Sequence, residues 1–167
     1  MRRFVIVLAG LAAVSITTES RLSGQSATST LTVSASVSKN CTISTAPVNF
    51  GAYDPVAANA TAPLDAVGTV TITCTKGAPA KVALNAGSNA EGTTRRMTGG
   101  TAAYLTYELY KDSSHSTVWG DTLDTALDIP AAPNRTPRDF TVYGRVVAAQ
   151  DATVGSYTDT VVATVNF

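Results

Sequence analysis

The single histidine of the chain, His115, closes the run Asp112-Ser113-Ser114-His115, and Asp121 follows six residues later. A hydroxyl, an imidazole and a carboxylate are the parts of a nucleophilic triad, in which the base takes the hydroxyl proton and the acid orients the base. Such a triad needs a scaffold that fixes all three groups, such as the strand–turn–helix elbow around a serine nucleophile. No such pattern surrounds these residues, and all five fall in one polar loop. They read as solvated loop residues, and no enzyme activity is expected.

Other candidate chemistries are equally thin. Asp121, Asp124 and Asp128 offer carboxylates, but at a spacing that lacks the EF-hand pattern. One His and two Cys are too few for most structural zinc sites, so neither metal nor cofactor is expected. Arg95-Arg96 reads as a turn or strand-end pair. With 12 basic and 12 acidic residues the net charge is zero, which argues against a nucleic-acid partner. Trp119 and the tyrosines could form a sugar-binding platform, although a buried core or edge role is commoner for such rings.

Cys41 and Cys74 are read through the start of the chain. Arg2 and Arg3 precede an almost unbroken apolar run over residues 4–16, followed by small and polar residues. This is the pattern of a secretory signal peptide, placed at residues 1–26. The run is short of the roughly 20 apolar residues a membrane-spanning helix needs, so no stable membrane insertion is expected. In an exported chain, an even pair of cysteines reads as one disulfide, Cys41–Cys74.

The elements that would position these residues are strands. Thr, Ala, Val, Ser and Gly dominate, and short alternating segments are separated by turn residues. Leu31, Val33, Ala35 and Val37 alternate with Thr and Ser. Val70, Ile72 and Cys74 alternate with threonines, and Leu105, Tyr107 and Leu109 with Thr106 and Glu108. Phe140, Val142, Gly144 and Val146 form another such set, and Val161, Ala163, Val165 and Phe167 the last. Val48 to Phe50 and Val82 with Leu84 mark shorter pieces. About seven strands in this length predict one all-β domain over residues 27–167, an immunoglobulin-like antiparallel β-sandwich. Both ends are patterned as strands, where terminal segments usually fray.

These fragments, in this order, resemble the spore coat protein U domain family, whose members include subunits of archaic chaperone–usher pili. The resemblance rests on the alternating residues 31–37 followed by Cys41, on Asn49-Phe50-Gly51-Ala52-Tyr53-Asp54, and on residues 67–74. It continues through Arg96-Met97, residues 105–112, Trp119-Gly120-Asp121, residues 142–146 and residues 155–167.

The resemblance implies a sandwich lacking its final strand, whose groove is filled by a strand from outside. A periplasmic chaperone fills it first; at an outer-membrane usher the N-terminal strand of a neighbouring pilin subunit replaces it. On this reading residues 27–38 are the donor strand, with Leu31, Val33, Ala35 and Val37 as its knobs. Val161, Ala163, Val165 and Phe167 edge the groove and dock the chaperone. Its floor is expected from Val82, Leu84, Leu105, Phe140, Val142, Val161, Val165 and Phe167. The implied function is structural: a secreted surface fibre subunit, passing through the periplasm to the cell surface. The alternatives are a secreted spore-coat or matrix protein, or a carbohydrate-binding adhesin module built around Trp119.

Overall fold

The structure is a computed structural model and describes residues 24–167. The apolar run of the expected signal peptide lies outside the described residues. Residues 24–35 and Ser36–Phe167 are separate units, and the folded body is the second.

That body is built from eight strands: β1 (Cys41–Ala46), β2 (Leu64–Cys74), β3 (Ala80–Leu84), β4 (Arg96–Thr98), β5 (Tyr104–Tyr110), β6 (Leu127–Ile129), β7 (Arg138–Val146) and β8 (Ala163–Asn166). They form two antiparallel sheets, ordered β1-β2-β7-β5-β4 and β6-β3-β8. Two-residue alternation decides which face turns inward. On β2, Val70, Ile72 and Cys74 are buried while Thr69, Thr71 and Thr73 are partly exposed. β5 repeats this with Leu105, Tyr107 and Leu109, and β7 with Val142 and Val146. The inward rows meet Val82 and Leu84 of β3 and close over Trp119, the largest wholly buried side chain. Its indole N–H donates to the Val82 carbonyl at 2.7 Å.

Trp119 takes the core role that is commoner for such rings, and this removes it from the alternative of a sugar platform, because a ring with no exposed surface cannot stack on a ligand. Residues 31–37 alternate like a strand yet belong to none. Leu31, Val33 and Val37 are 84–85% exposed. Residues 48–50 are likewise outside any strand, and the last strand is shorter than its alternating pattern.

Cys41 and Cys74 are directly opposite at the first pair of the β1–β2 ladder, bonded with an S–S distance of 2.06 Å. Unfolded, unreduced protein should therefore titrate no thiol. Reduction should lower the unfolding free energy by roughly 3.5–4 kcal/mol through the released loop. Two thiols without reductant, or an unchanged urea midpoint after reduction, would contradict this.

Candidate functional site

The two sheets do not meet along their whole length. Between them lies a cavity of about 960 Å³, floored by inward side chains of both sheets, among them Val70, Leu84, Leu105, Leu109 and Val142. One wall is the chain leaving β1, residues 45–53, and the other is residues 152–163.

The second wall is a strand edge. Main-chain N–H groups of Asn85 and Ser88 donate to the carbonyls of Val162 and Thr160 at 3.1 and 3.0 Å, extending the β3–β8 ladder. Successive residues of a strand point their peptide groups to opposite sides. Those of Val161 and Ala163 therefore face the other way, where β8 has no neighbouring strand in its sheet. Further back, Thr98 and Thr158 exchange two main-chain bonds and hold the wall to β4, and the Tyr157 ring lies where any side chain at Gly99 would collide.

Asp159 fixes the wall from inside. Its carboxylate accepts from the Asn89 main-chain and side-chain amides at 3.1 and 2.9 Å and from the Tyr107 hydroxyl at 2.7 Å. Gly87, at φ +90°, allows this approach, since a Cβ there would lie 2.0 Å from the Asp159 carboxylate. Burial, then the bond to Asp159, pushes the Tyr107 hydroxyl well above its ordinary 10.0. The folded value exceeds the unfolded one, so this contribution is complete below the unfolded value and lost as pH rises toward the folded one. Wild type should lose stability more steeply than Tyr107→Phe between about pH 10 and 11. Urea unfolding across that range checks it, and parallel slopes would remove Tyr107 from the account.

Beyond Tyr53, which lines the cavity, the chain is tied down by a polar knot. Asn59, only 5% exposed, accepts from the Asp54 N–H and donates to the Ala62 carbonyl. The Tyr53 hydroxyl donates to the Val147 carbonyl and accepts from the Gln150 N–H. The Gln150 side chain in turn pairs with both main-chain groups of Thr106.

Of the eight residues expected on the floor, Leu84, Leu105, Val142 and Val161 line the cavity, and Val82, Phe140, Val165 and Phe167 do not. Of the expected edge residues, Val161 and Ala163 line it, whereas Phe167 is 52% exposed. The reason is geometric: beyond Ala163, β8 runs beside β1 and the sandwich is shut there.

A family model described as Spore Coat Protein U domain matches residues 27–164. The chain belongs to the spore coat protein U domain family. Protein U of Myxococcus xanthus is 36% identical over 174 residues, covering 96% of each chain. A solved structure, the CsuC-CsuE chaperone-tip adhesion subunit pre-assembly complex from archaic chaperone-usher Csu pili of Acinetobacter baumannii, matches with a TM-score of 0.55 and 27% identity. That match covers 78% of this chain, which spans 40% of the chain it matches. The fold is thus an immunoglobulin-like antiparallel sandwich, and the family is structural, not enzymatic.

The remaining candidates fit a structural member of the family. The Asp112 carboxylate organises its own loop, accepting from Ser114, Ser116 and the Thr117 N–H, and these bonds hold its pKa below the usual carboxylate range. His115 is not solvated as expected. Its side chain is 7% exposed and packs edge-on against Tyr110 and Tyr143, with Nε2 3.8 Å from Asp65 rather than at a serine. Asp65 is itself bound by both arms of Arg145, which hold its carboxyl below the usual range. Asp128 pairs with Lys81. Among the described residues, no three His, Cys, Asp or Glu side chains converge on one point.

Arg95, a turn or strand-end residue by its sequence, is only 3% exposed. It pairs with Glu108 and donates to the carbonyls of Leu84, Asn85 and Trp119. Arg96 lies over the Tyr104 ring and pairs with Glu91.

Proposed function

We propose that the chain is a structural subunit of a surface fibre of the chaperone–usher kind, joined to its neighbours by donor-strand exchange. The observation that carries this reading is the apolar cavity beside an unpaired β8 edge. A strand added there would gain main-chain bonds from Val161 and Ala163, while alternate side chains enter the cavity. Residues 27–38 have the matching form. They alternate apolar Leu31, Val33, Ala35 and Val37 with hydroxyls, and Leu31, Val33 and Val37 are exposed in this chain. Their Ser and Thr residues keep the arm soluble until it is used.

On this reading residues 1–26 direct export and are removed. A periplasmic chaperone holds the groove edge, Val161 and Ala163 foremost, until an usher exchanges it for a second subunit's arm. The CsuC-CsuE complex, a chaperone together with a tip adhesion subunit, supports a chaperone partner. A non-polymerising coat protein is the second reading, favoured by the description of the family that matches.

A synthetic peptide of residues 27–38 decides between them. Added to the exported protein, it should bind with one-to-one stoichiometry and raise the thermal midpoint, because a ligand that binds only the folded state stabilises it by mass action. A scrambled peptide of the same composition should do neither. If the native peptide behaves like the scrambled one, the polymerisation reading fails and the coat-protein reading stands.

A further inference from the structure

The groove has a hidden part. On the inner face of the five-stranded sheet, Gly68 of β2 and Gly144 of β7 are diagonal neighbours, since Gly68 is opposite Val142 and Ala66 is opposite Gly144. Two adjacent strands thus lack side chains at one place, which leaves a shallow hollow. Val48 and Phe50 fill it. A Cβ on Gly68 would lie 2.6 Å from Val48, and one on Gly144 would lie 2.7 Å from Val48 and 2.8 Å from Phe50. Phe50 also packs against Tyr107, with ring centroids 6.1 Å apart.

The segment carrying these two side chains is weakly held. After Ala46 leaves the β1 ladder, residues 47–52 make no main-chain bond to another main-chain group among the described residues, and Gly51 N–H reaches only the Asn49 side chain. Val48 and Phe50 are half-buried, and their neighbours Asn49 and Gly51 are exposed. An element held by few apolar contacts and with solvated peptide groups belongs to the low-stability part of a fold. Its pattern, apolar at two alternate positions, matches the apolar spacing of residues 31–37.

We infer that the Gly68–Gly144 hollow is a binding subsite for a branched or aromatic apolar side chain, which residues 47–52 fill as a placeholder. An apolar knob from the arm of a second copy displaces Phe50 and takes its place. This rests on the reading of the groove as a strand acceptor. While the placeholder is seated, only the fraction of molecules with the hollow open is competent, and apparent affinity falls by that fraction.

The test uses the exported protein and the peptide of residues 27–38, with affinity and association rate measured for wild type, Phe50→Ala and Gly144→Ala. Phe50→Ala empties the hollow and should tighten binding about tenfold, mainly through faster association. Gly144→Ala fills the hollow from below and should weaken binding by a similar factor. Opposite signs, in proteins whose circular dichroism and urea midpoints show them folded, support the subsite. Two losses of binding would make residues 47–52 a fixed wall, and two unchanged affinities would leave the hollow without a role; either overturns the inference alone. Absence of peptide binding in all three proteins overturns the strand-acceptor reading and the subsite with it. If either variant does not fold, a fluorinated phenylalanine at position 50 supplies the second measurement. Its resonance should shift on peptide binding, and a fixed resonance in the peptide-bound protein overturns the placeholder.

Discussion

A Val33→Asp chain should be exported, fold and accumulate with its chaperone, yet form no fibres. In the free subunit Val33 is 85% exposed, so a carboxylate there meets water and costs the fold almost nothing. In a joint between subunits, the same side chain would enter an apolar groove floored by Val70, Leu105, Leu109 and Val142. Burying an ionised carboxylate without a partner costs several kcal/mol, and every joint along a fibre would bear it. Val33→Ile should leave assembly intact, which separates loss of apolar fit from any change at this position. The measurements are electron microscopy of surface fibres and the amount of chaperone-bound subunit. Normal fibres from Val33→Asp would refute the donor role of residues 27–38. Degradation of the variant subunit would instead make the segment part of its own fold.

Removing the guanidinium of Arg95 should be among the most damaging substitutions inside the folded body. Its Nη2 donates to the Leu84 carbonyl at 2.7 Å and to the Trp119 carbonyl at 2.9 Å, and its Nε donates to the Asn85 carbonyl at 3.0 Å. One side chain therefore satisfies main-chain acceptors of β3 and of the segment before β6, while neutralising Glu108 on β5. Asn85 passes the constraint on, because its side-chain oxygen accepts the N–H groups of Gly87 and Val162 beside the groove. Arg95→Met keeps much of the volume but takes the donor from three carbonyls and leaves the Glu108 carboxylate with the Leu109 N–H and no counter-charge. Breaking a buried pair in this way costs about 3–5 kcal/mol. Urea unfolding with an unchanged m-value should report that loss, and adding Glu108→Gln should recover part of it. A loss under about 1 kcal/mol would mean that water replaces the guanidinium there.

Which parts of this architecture can be read from sequence follows from where the determining contacts lie. The alternation of Val70, Ile72 and Cys74 against threonines is a local record of one buried face, and β2, β5 and β7 follow from it directly. Residues 31–37 carry the same record, but alternation says what kind of surface a strand fits, not which molecule supplies that surface. The edge strand beside β2 is Cys41–Ala46, whose sequence alternates less clearly.

Side chains buried by distant partners were the least legible. His115 sits in a polar stretch, and only the folding of its loop onto Tyr110, Tyr143 and Asp65 takes it out of water. Nothing in Arg95-Arg96 distinguishes the buried arginine from the more exposed one, since the carbonyls that select Arg95 come from two other segments, Leu84-Asn85 and Trp119. The groove was legible only in outline. Its wall at residues 152–160 lacks strand alternation and is shaped by Asp159, Gly87 and Gly99, positions whose meaning appears once they are adjacent. The Asn49-Phe50-Gly51 fragment served to mark the resemblance, but the two glycines that receive Val48 and Phe50 carry no local sign of doing so.

The position of the disulfide has a mechanical consequence. β1 is an edge strand, and tension on the chain ahead of Cys41 would peel it from β2 one pair at a time, starting at Cys41 opposite Cys74. The covalent bond is at that first pair. Load therefore crosses at once from the edge into β2, which is flanked by β1 on one side and by nine residue pairs with β7 on the other. Thr75, next along the chain, reaches back to the Asn40 carbonyl with its N–H at 2.9 Å. A pull that would have unzipped an edge strand is delivered instead as shear along one of the best-anchored, and the root of the arm holds while the sheet bears the strain.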